Sequence, residues 1–483
     1  MPDKSEKMNI LFIMSDSLVT QLTGFMNDQI AETPNLDKLA ASGVLFNNAY
    51  CNSPLCAPSR ASMVTGRYVS EIGAFDNSNE FSSEIPTMGH VFHAAGYESV
   101  IIGKMHFLGY DQWHGFDQRL ALSTDYSRGY SPGAYVCAYQ WDQPSGPNPA
   151  PPAEWMGPSY VRTSQWDHYP HHYQRDEEIH KQAIAYLSSK NSESEPFFCC
   201  VSYHAPHNPF WIPPKYLAPF QNRTLLLPSI PEDVNPCHGI MDKWLNDFHR
   251  IPEIEDRLMH EDSLQWLYET YYGIVHYLDE RIGELLNVLR QKKLDRNTAI
   301  VFASDHGDML AHRGMVQKRY FYDRSMRVAL IFSLPNHWRE DVRIETPVSL
   351  LDLLPTFTEL LDGQLPDELP GRSVLSSLRG DSEPENRMIF AEYHGEGVHA
   401  PCFMALKDQY KYIYVHGHEE RLYNLEQDPD EFQNLITDSS YSNLVAELKA
   451  AVFRQFNPDA IAEAAIRSQR NRRFILNSVG KNQ

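Results

Sequence analysis

Five short apolar runs recur along the chain, and each ends in a turn or in polar and charged residues: NILFIMSDS at 9–17, YESVIIGKMH at 97–106, PFFCCVSYHAPH at 196–207, NTAIVFASDHGD at 297–308 and RVALIFSLP at 327–335. A strand with one wet face would alternate apolar and polar residues, whereas a continuous apolar run fits a strand covered on both faces. The stretches between the runs carry helical patterns. Thr33-Pro34, followed by Leu36, Leu39, Ala40 and Gly43, supplies an N-cap, a first-turn proline, an apolar stripe and a C-cap glycine. From Ser263 to about Lys293 runs a long amphipathic helix that closes on Arg290, Lys292 and Lys293, where the helix dipole favours cations. Strands alternating with helices predict an α/β protein with its ligand site outside the carboxyl ends of the strands.

From about residue 385 the pattern changes to short strands and turns: RMIFAEY, then CFMALKDQYKYIYV with a polar turn at Lys407-Asp408-Gln409, then ERLYNL. These predict a small antiparallel α+β subdomain over 385–483, ending in a helical tail that contains IRSQRNRRF, after an α/β domain over 1–384. With 42% hydrophobic and 22% charged residues, 483 residues can bury a substantial core. A formal net charge of −21 argues against nucleic acid or an anionic membrane as a general partner. The start, MPDKSEKMNILFIMSDS, has an apolar run of only about six residues, too short for a signal peptide or a membrane span, so the expected compartment is the cytoplasm. Seven cysteines, at 51, 56, 137, 199, 200, 237 and 402, show no C-x-x-C pairing and fit reduced thiols.

Two segments stand apart. Tyr126 to Tyr173 is rich in Pro, Gly, Tyr and Trp and lacks periodicity, the composition of a functional loop. Trp166 to His180 holds many His, Asp and Glu residues, and is expected to be a loop entering a helix near Pro170 with acids in the first turn.

The strand ends carry the chemistry. Asp16 follows the first run and Asp305-His306 a later one, so three ligands could converge on one divalent cation. Arg60, Lys104, His106, His207 and Lys318 are basic groups near the same ends, and a metal with a ring of donors is how a tetrahedral oxyanion is held and its transfer stabilised. SPLCAPSRASMVTGR at 53–67 places Cys56 two residues before Pro58, at the mouth of a helix whose backbone donors would lower a thiol pKa. On residues alone Cys56 is an activated nucleophile or a metal ligand.

CAPSR with TGR a few residues on resembles the signature of the type I sulfatases, and SDS, GKMH, HAPH, SDHGD and Lys318 occur in that family's order. The resemblance covers nearly the whole chain and implies an alkaline-phosphatase-like mixed sheet flanked by helices. It implies that a formylglycine-generating enzyme or equivalent maturase converts Cys56 to formylglycine, whose hydrate attacks sulfur. It further implies one divalent ion, Ca²⁺ or Mn²⁺, on Asp16, Cys56, Asp305 and His306. Arg60 would support the hydrate, Lys104 and Lys318 would bind sulfate oxygens, His106 would assist the hydrate, and His207 would be the acid for the leaving alcohol, with His204 behind it. Ser17 stands where many members have a second acid or a Gln.

Within the family, GKMHFLGYDQWHGFDQRL, SDHGDML, EYHGEG and SQRNRR are similar to choline sulfatases. That implies a homo-oligomer, a dimer or tetramer, whose tails reach a neighbouring site. A quaternary ammonium would want a carboxylate and aromatic walls, for which Glu396, Tyr130 and Trp155 are the candidates, with Trp141 and Trp166 in the same loop. The segment Thr124 to Pro132 with Arg128, and Glu154-Trp155 before Met156-Gly157, depart from the choline-sulfatase pattern, so another small organosulfate is an alternative substrate. A phosphonate monoester or phosphodiester hydrolase on the same fold is a rival, as is an unmodified, non-catalytic metal-binding protein.

Overall fold

The computed structural model describes residues 7–121, 160, 171–221, 223–228, 230 and 238–479. The apolar runs form the middle of an eight-stranded mixed sheet. In chain order its strands are β1 (Asn9–Ser15), β2 (Val44–Phe46), β3 (Glu98–Gly103), β4 (Gln118–Leu120), β5 (Phe197–Ser202), β6 (Thr298–Ser304), β7 (Leu330–Ser333) and β8 (Val342–Ile344). They lie side by side in the order β8-β2-β7-β6-β1-β5-β3-β4. β1 is parallel to β5 and β6, and β5 to β3. Every residue of β1 is buried, and its side chains divide between two cores: Ile10, Phe12 and Met14 pack on one face, Leu11 and Ile13 on the other. This two-sided burial is why the run is apolar without alternation.

Register decides where the site forms. Met14 pairs with Ser202, Ser15 with Ser304, and Gly103 with Ser202, so four parallel strands end level with one another. Asp16, Lys104, Tyr203 and Asp305 therefore leave the sheet along one line. RVALIFSLP behaves differently. Arg327–Val328 joins a small sheet with Ala49–Tyr50 and Val348–Ser349, and the continuing β7 runs antiparallel to β6, so its end points away from that line.

The helix predicted after Thr33 spans Pro34–Ala41, but Gly43 does not cap it. The cap is Ser42, and Gly43 is needed for space: a Cβ there would sit 2.1 Å from the carbonyl oxygen of Phe332. The long helix spans Glu261–Gln291, and the helix near Pro170 spans His171–Ser188. The latter carries no acid in its first turn, because Asp176, Glu177 and Glu178 fall in the second.

The C-terminal part is a four-stranded antiparallel sheet, Ile389–Tyr393, Cys402–Lys407, Tyr410–Val415 and Glu419–Asn424, paired in chain order. Its apolar residues merge with the core of the main sheet. Lys411, fully buried, bonds Asp323 at 2.6 Å and Glu431 at 2.8 Å. Helices Ser442–Gln455 and Pro458–Val479 follow. The last helix contacts the main body of the chain: Arg472 grips Asp76 through two bonds of 3.0 and 2.8 Å, and Asn79 donates to Ser468 at 2.9 Å. Among the described residues, Cys51, Cys56, Cys199, Cys200 and Cys402 are free and buried, and no helix is long and apolar enough to cross a membrane.

Candidate active site

Above the level strand ends begins the helix Cys56–Thr65, and its first residue points at the line of ligands. Ligand atoms of Asp16, Cys56, Asp305 and His306 all lie within 4.8 Å of one another, and all four residues are buried. His306 donates Nδ1–H to the Gly307 carbonyl at 2.8 Å, which leaves Nε2 facing Cys56 Sγ at 3.2 Å. Such a bond fixes both ring and tautomer of a ligating imidazole. Ser17, held at φ +63°, donates its hydroxyl to Asp16 at 3.0 Å and its N–H to Asp305 at 3.2 Å, so it orients the two carboxylates.

Arg60 is fully buried and faces the ligands: Nε bonds Asp305 at 2.7 Å, Nη2 bonds Asp16 at 3.2 Å, and Nη1 bonds Ser202 Oγ at 2.8 Å and the Lys104 carbonyl. Lys104 Nζ reaches Asp16 at 2.7 Å. Burial alone would raise the Asp16 pKa, but Lys104, His207, Arg60 and His306 hold it well below the carboxylate range. Burial and Asp16 push the Cys56 thiol up, yet Lys318, Lys104 and His306 outweigh them and lower it. For His306 burial disfavours charge, while Asp305 and Cys56 win and raise its pKa. The cluster draws positive charge into a buried space, which is the property a divalent cation requires.

Opposite these groups, His207 donates Nδ1–H to the Asn208 carbonyl, and its Nε2 accepts from Lys318 Nζ at 2.6 Å. Burial first, then Lys318, keep His207 uncharged. His106, at φ +58°, is buried beside Lys104 and Arg60 and is likewise held well below its usual pKa, by burial and then by those cations.

A model of the sulfatase family matches residues 8–363. The chain belongs to the sulfatase family. A second family model, described as the C-terminal part of N-sulphoglucosamine sulphohydrolase, matches residues 311–457. The choline-sulfatase of Rhizobium meliloti (strain 1021) is 30% identical over 97% of this sulfatase and 91% of its own length. The solved structure of a 2-O GAG sulfatase superposes with a TM-score of 0.73 at 24% identity, covering 95% of this chain and 93% of the other. That of the phosphonate monoester hydrolase of Agrobacterium radiobacter gives a TM-score of 0.74 at 20% identity, covering 93% and 95%. These two superpositions establish the alkaline-phosphatase-like fold.

The sulfatase thus brings together Asp16, Cys56, Arg60, Lys104, His106, His207, Asp305, His306 and Lys318. Glu396 is not in that cluster: it is buried and bonded at 2.5 Å by Nη2 of Arg319, next in the chain to Lys318. Tyr130 and Trp155, with Arg128, Trp141 and Trp166, lie outside the described residues.

Sequence reasoning missed the support beneath His207. Asp176 accepts the N–H of His204 at 2.7 Å, its ring Nδ1 at 3.1 Å and the N–H of Ala205 at 2.8 Å, so one carboxylate holds the turn that carries His207. His172, one helical turn earlier, sets its ring 5.1 Å from that of His204 and 5.5 Å from that of His207. The spacing of His172 and Asp176, four residues apart and so on one helix face, was the available signal. Asn77 was missed as well: its side chain accepts the N–H of Ala57 at 3.0 Å, capping the helix that starts at Cys56.

Proposed function

We propose that this sulfatase hydrolyses a small organosulfate, choline sulfate or a related ester, to an alcohol and inorganic sulfate. The observation that carries the reading is the placement of Cys56: a buried thiol on the first residue of a helix, 3.2 Å from His306 Nε2 and within one ring of metal-type donors. Lys318, Lys104 and His306 lower its pKa in spite of that burial, and such electropositive surroundings are those of a reactive residue. Converted to formylglycine by a maturase, residue 56 adds water to become a geminal diol, and one hydroxyl of that hydrate is the nucleophile for sulfur.

The chain's own groups divide the remaining work. Lys104 and Lys318 are placed to hold sulfate oxygens and the charge that grows on them. The proton between Lys318 Nζ and His207 Nε2 is the one that passes to the leaving alcohol oxygen as its bond to sulfur breaks. Asp16, Asp305 and His306 with residue 56 fit a divalent cation, Ca²⁺ or Mn²⁺, which when bound acts as a Lewis acid on the sulfate. Arg60 keeps both carboxylates aimed at that position.

The test pairs peptide mass spectrometry of position 56 with a release screen over choline sulfate, aryl sulfates, sugar sulfates and an aryl phosphonate monoester. Formylglycine at 56 with sulfate released fastest is the expected result, with release abolished in Cys56→Ala. Only thiol at 56 and no turnover overturns the reading and leaves a metal-binding protein. Faster phosphonate cleavage makes the chain a phosphonate monoester hydrolase instead.

A further inference from the structure

Glu396 is the candidate carboxylate for a quaternary ammonium head group, and in the fold it is already paired. Arg319 donates to its Oε2 from Nη2 at 2.5 Å and from Nε at 3.2 Å, and the Asn77 N–H donates to Oε1 at 3.3 Å. Arg319 itself is fixed. Its backbone N–H donates to the Pro54 carbonyl at 2.9 Å, and its Nη1 lies 3.3 Å from both Gln317 Oε1 and His249 Nε2. Its φ of +90°, following +66° at Gln317, is a strained backbone that only surrounding contacts can maintain.

The pair stands beside the reacting groups. Arg319 follows Lys318, which bonds His207, and Pro54 lies two residues before Cys56. Asn77 touches Glu396 through its N–H and Ala57 through its side chain, so a single residue separates the carboxylate from the start of the Cys56 helix. The side chains of Arg319 and Glu396 are 4% and 11% exposed, so the pair is buried next to these groups.

We propose that Arg319 is a specificity-determining residue that neutralises Glu396 and so selects sulfate esters with an uncharged head group over those with a quaternary ammonium. A quaternary ammonium has no N–H to donate. It is held by attraction to a free carboxylate and to aromatic faces. A carboxylate bound to a guanidinium offers little net attraction, and the guanidinium repels a second cation. Hydroxyl and ether groups of a neutral head group lose nothing by this arrangement. The assignment rests on the sulfatase reading above and narrows its substrate.

The experiment competes choline sulfate against its uncharged isostere, 3,3-dimethylbutyl sulfate, each as an inhibitor of the best substrate of the release screen, using matured enzyme in 0.15 M salt, a strength of about 8 Å Debye length. The wild type is expected to bind the isostere about tenfold or more tightly than choline sulfate, and Arg319→Met, which frees Glu396, to shift that ratio toward choline sulfate by about tenfold. Glu396→Gln, which leaves the guanidinium unneutralised, is expected to keep or enlarge the wild-type preference. Equal or tighter binding of choline sulfate by the wild type overturns the assignment and needs no variant to fold. An unchanged ratio in a folded Arg319→Met also overturns it. Formylglycine-bearing enzyme that releases sulfate from no ester overturns the sulfatase reading, and the assignment with it.

Discussion

Asp176 touches neither Cys56 nor the metal-type donors, yet three donors from His204 and Ala205 end on its carboxylate. Asp176→Ala leaves those donors without an acceptor in a buried place, at about 1–3 kcal/mol for each group that stays unsatisfied. The expected result is a kcat lowered by about 10- to 100-fold with KM changed little, because the turn that loosens carries His207 and not Lys104 or Lys318, the lysines proposed to hold sulfate. Asp176→Asn keeps an acceptor oxygen and is expected to retain most of the activity. A fall in KM-dependent binding alone, with kcat intact, would remove Asp176 from the positioning of the acid. The sequence made Asp16 and Asp305-His306 legible because each follows an apolar run, and Cys56 because it stands two residues before Pro58 at the mouth of a helix. It hid Asp176 and Arg319, whose partners are 28 and 77 residues away and meet only when the chain folds.

At the scale of elements, what could be read was burial and what could not was direction. A continuous apolar run reports that both faces of a strand are covered, and the five runs foresee the five middle strands of the sheet but not β2, β4 and β8 toward its edges. Nothing within RVALIFSLP marks that β7 opposes β6, since antiparallel pairing is set by the connection before it. Gly43 shows the same limit. A glycine after a helix reads as a left-handed cap, while here the missing side chain makes room for β7. Gly43→Ala is therefore expected to cost about 1–3 kcal/mol, as overpacking does, and not the smaller cost of a lost cap. Urea unfolding followed by circular dichroism measures it, and a change below about 0.5 kcal/mol would return Gly43 to the role of a simple turn.

For the whole molecule, the buried triad of Lys411, Asp323 and Glu431 joins the C-terminal sheet to the catalytic body. Burial pushes Glu431 up to about 7, against the pull of Lys411 and with the help of Asp323. Its ordinary value is about 4.3 in the unfolded chain. Between those values the native protein keeps a proton that the unfolded chain has lost, so this group's contribution to stability is complete at low pH and fades as pH rises toward 7. The contribution is at most about 4 kcal/mol. The urea midpoint of wild type is expected to fall between pH 5 and 7.5 more steeply than that of Glu431→Gln, which has no proton to lose. Parallel profiles for the two proteins would show that Glu431 holds the same charge folded and unfolded.

The grip of Arg472 on Asp76 spans 396 residues of chain. Ribosomes add about 5–20 residues per second, so Asp76 emerges tens of seconds before its partner exists. Through that interval the segment Asp76 to Asn79, whose Asn77 caps the Cys56 helix, lacks the bonds that the last helix makes to Asp76 and Asn79. In the finished fold Cys56 is 2% exposed. Any enzyme that is to alter this side chain has a deadline set by the length of the message still to be translated. Synonymous codons that speed or slow the last hundred residues should then change how much of the protein carries the altered residue, without changing a single amino acid.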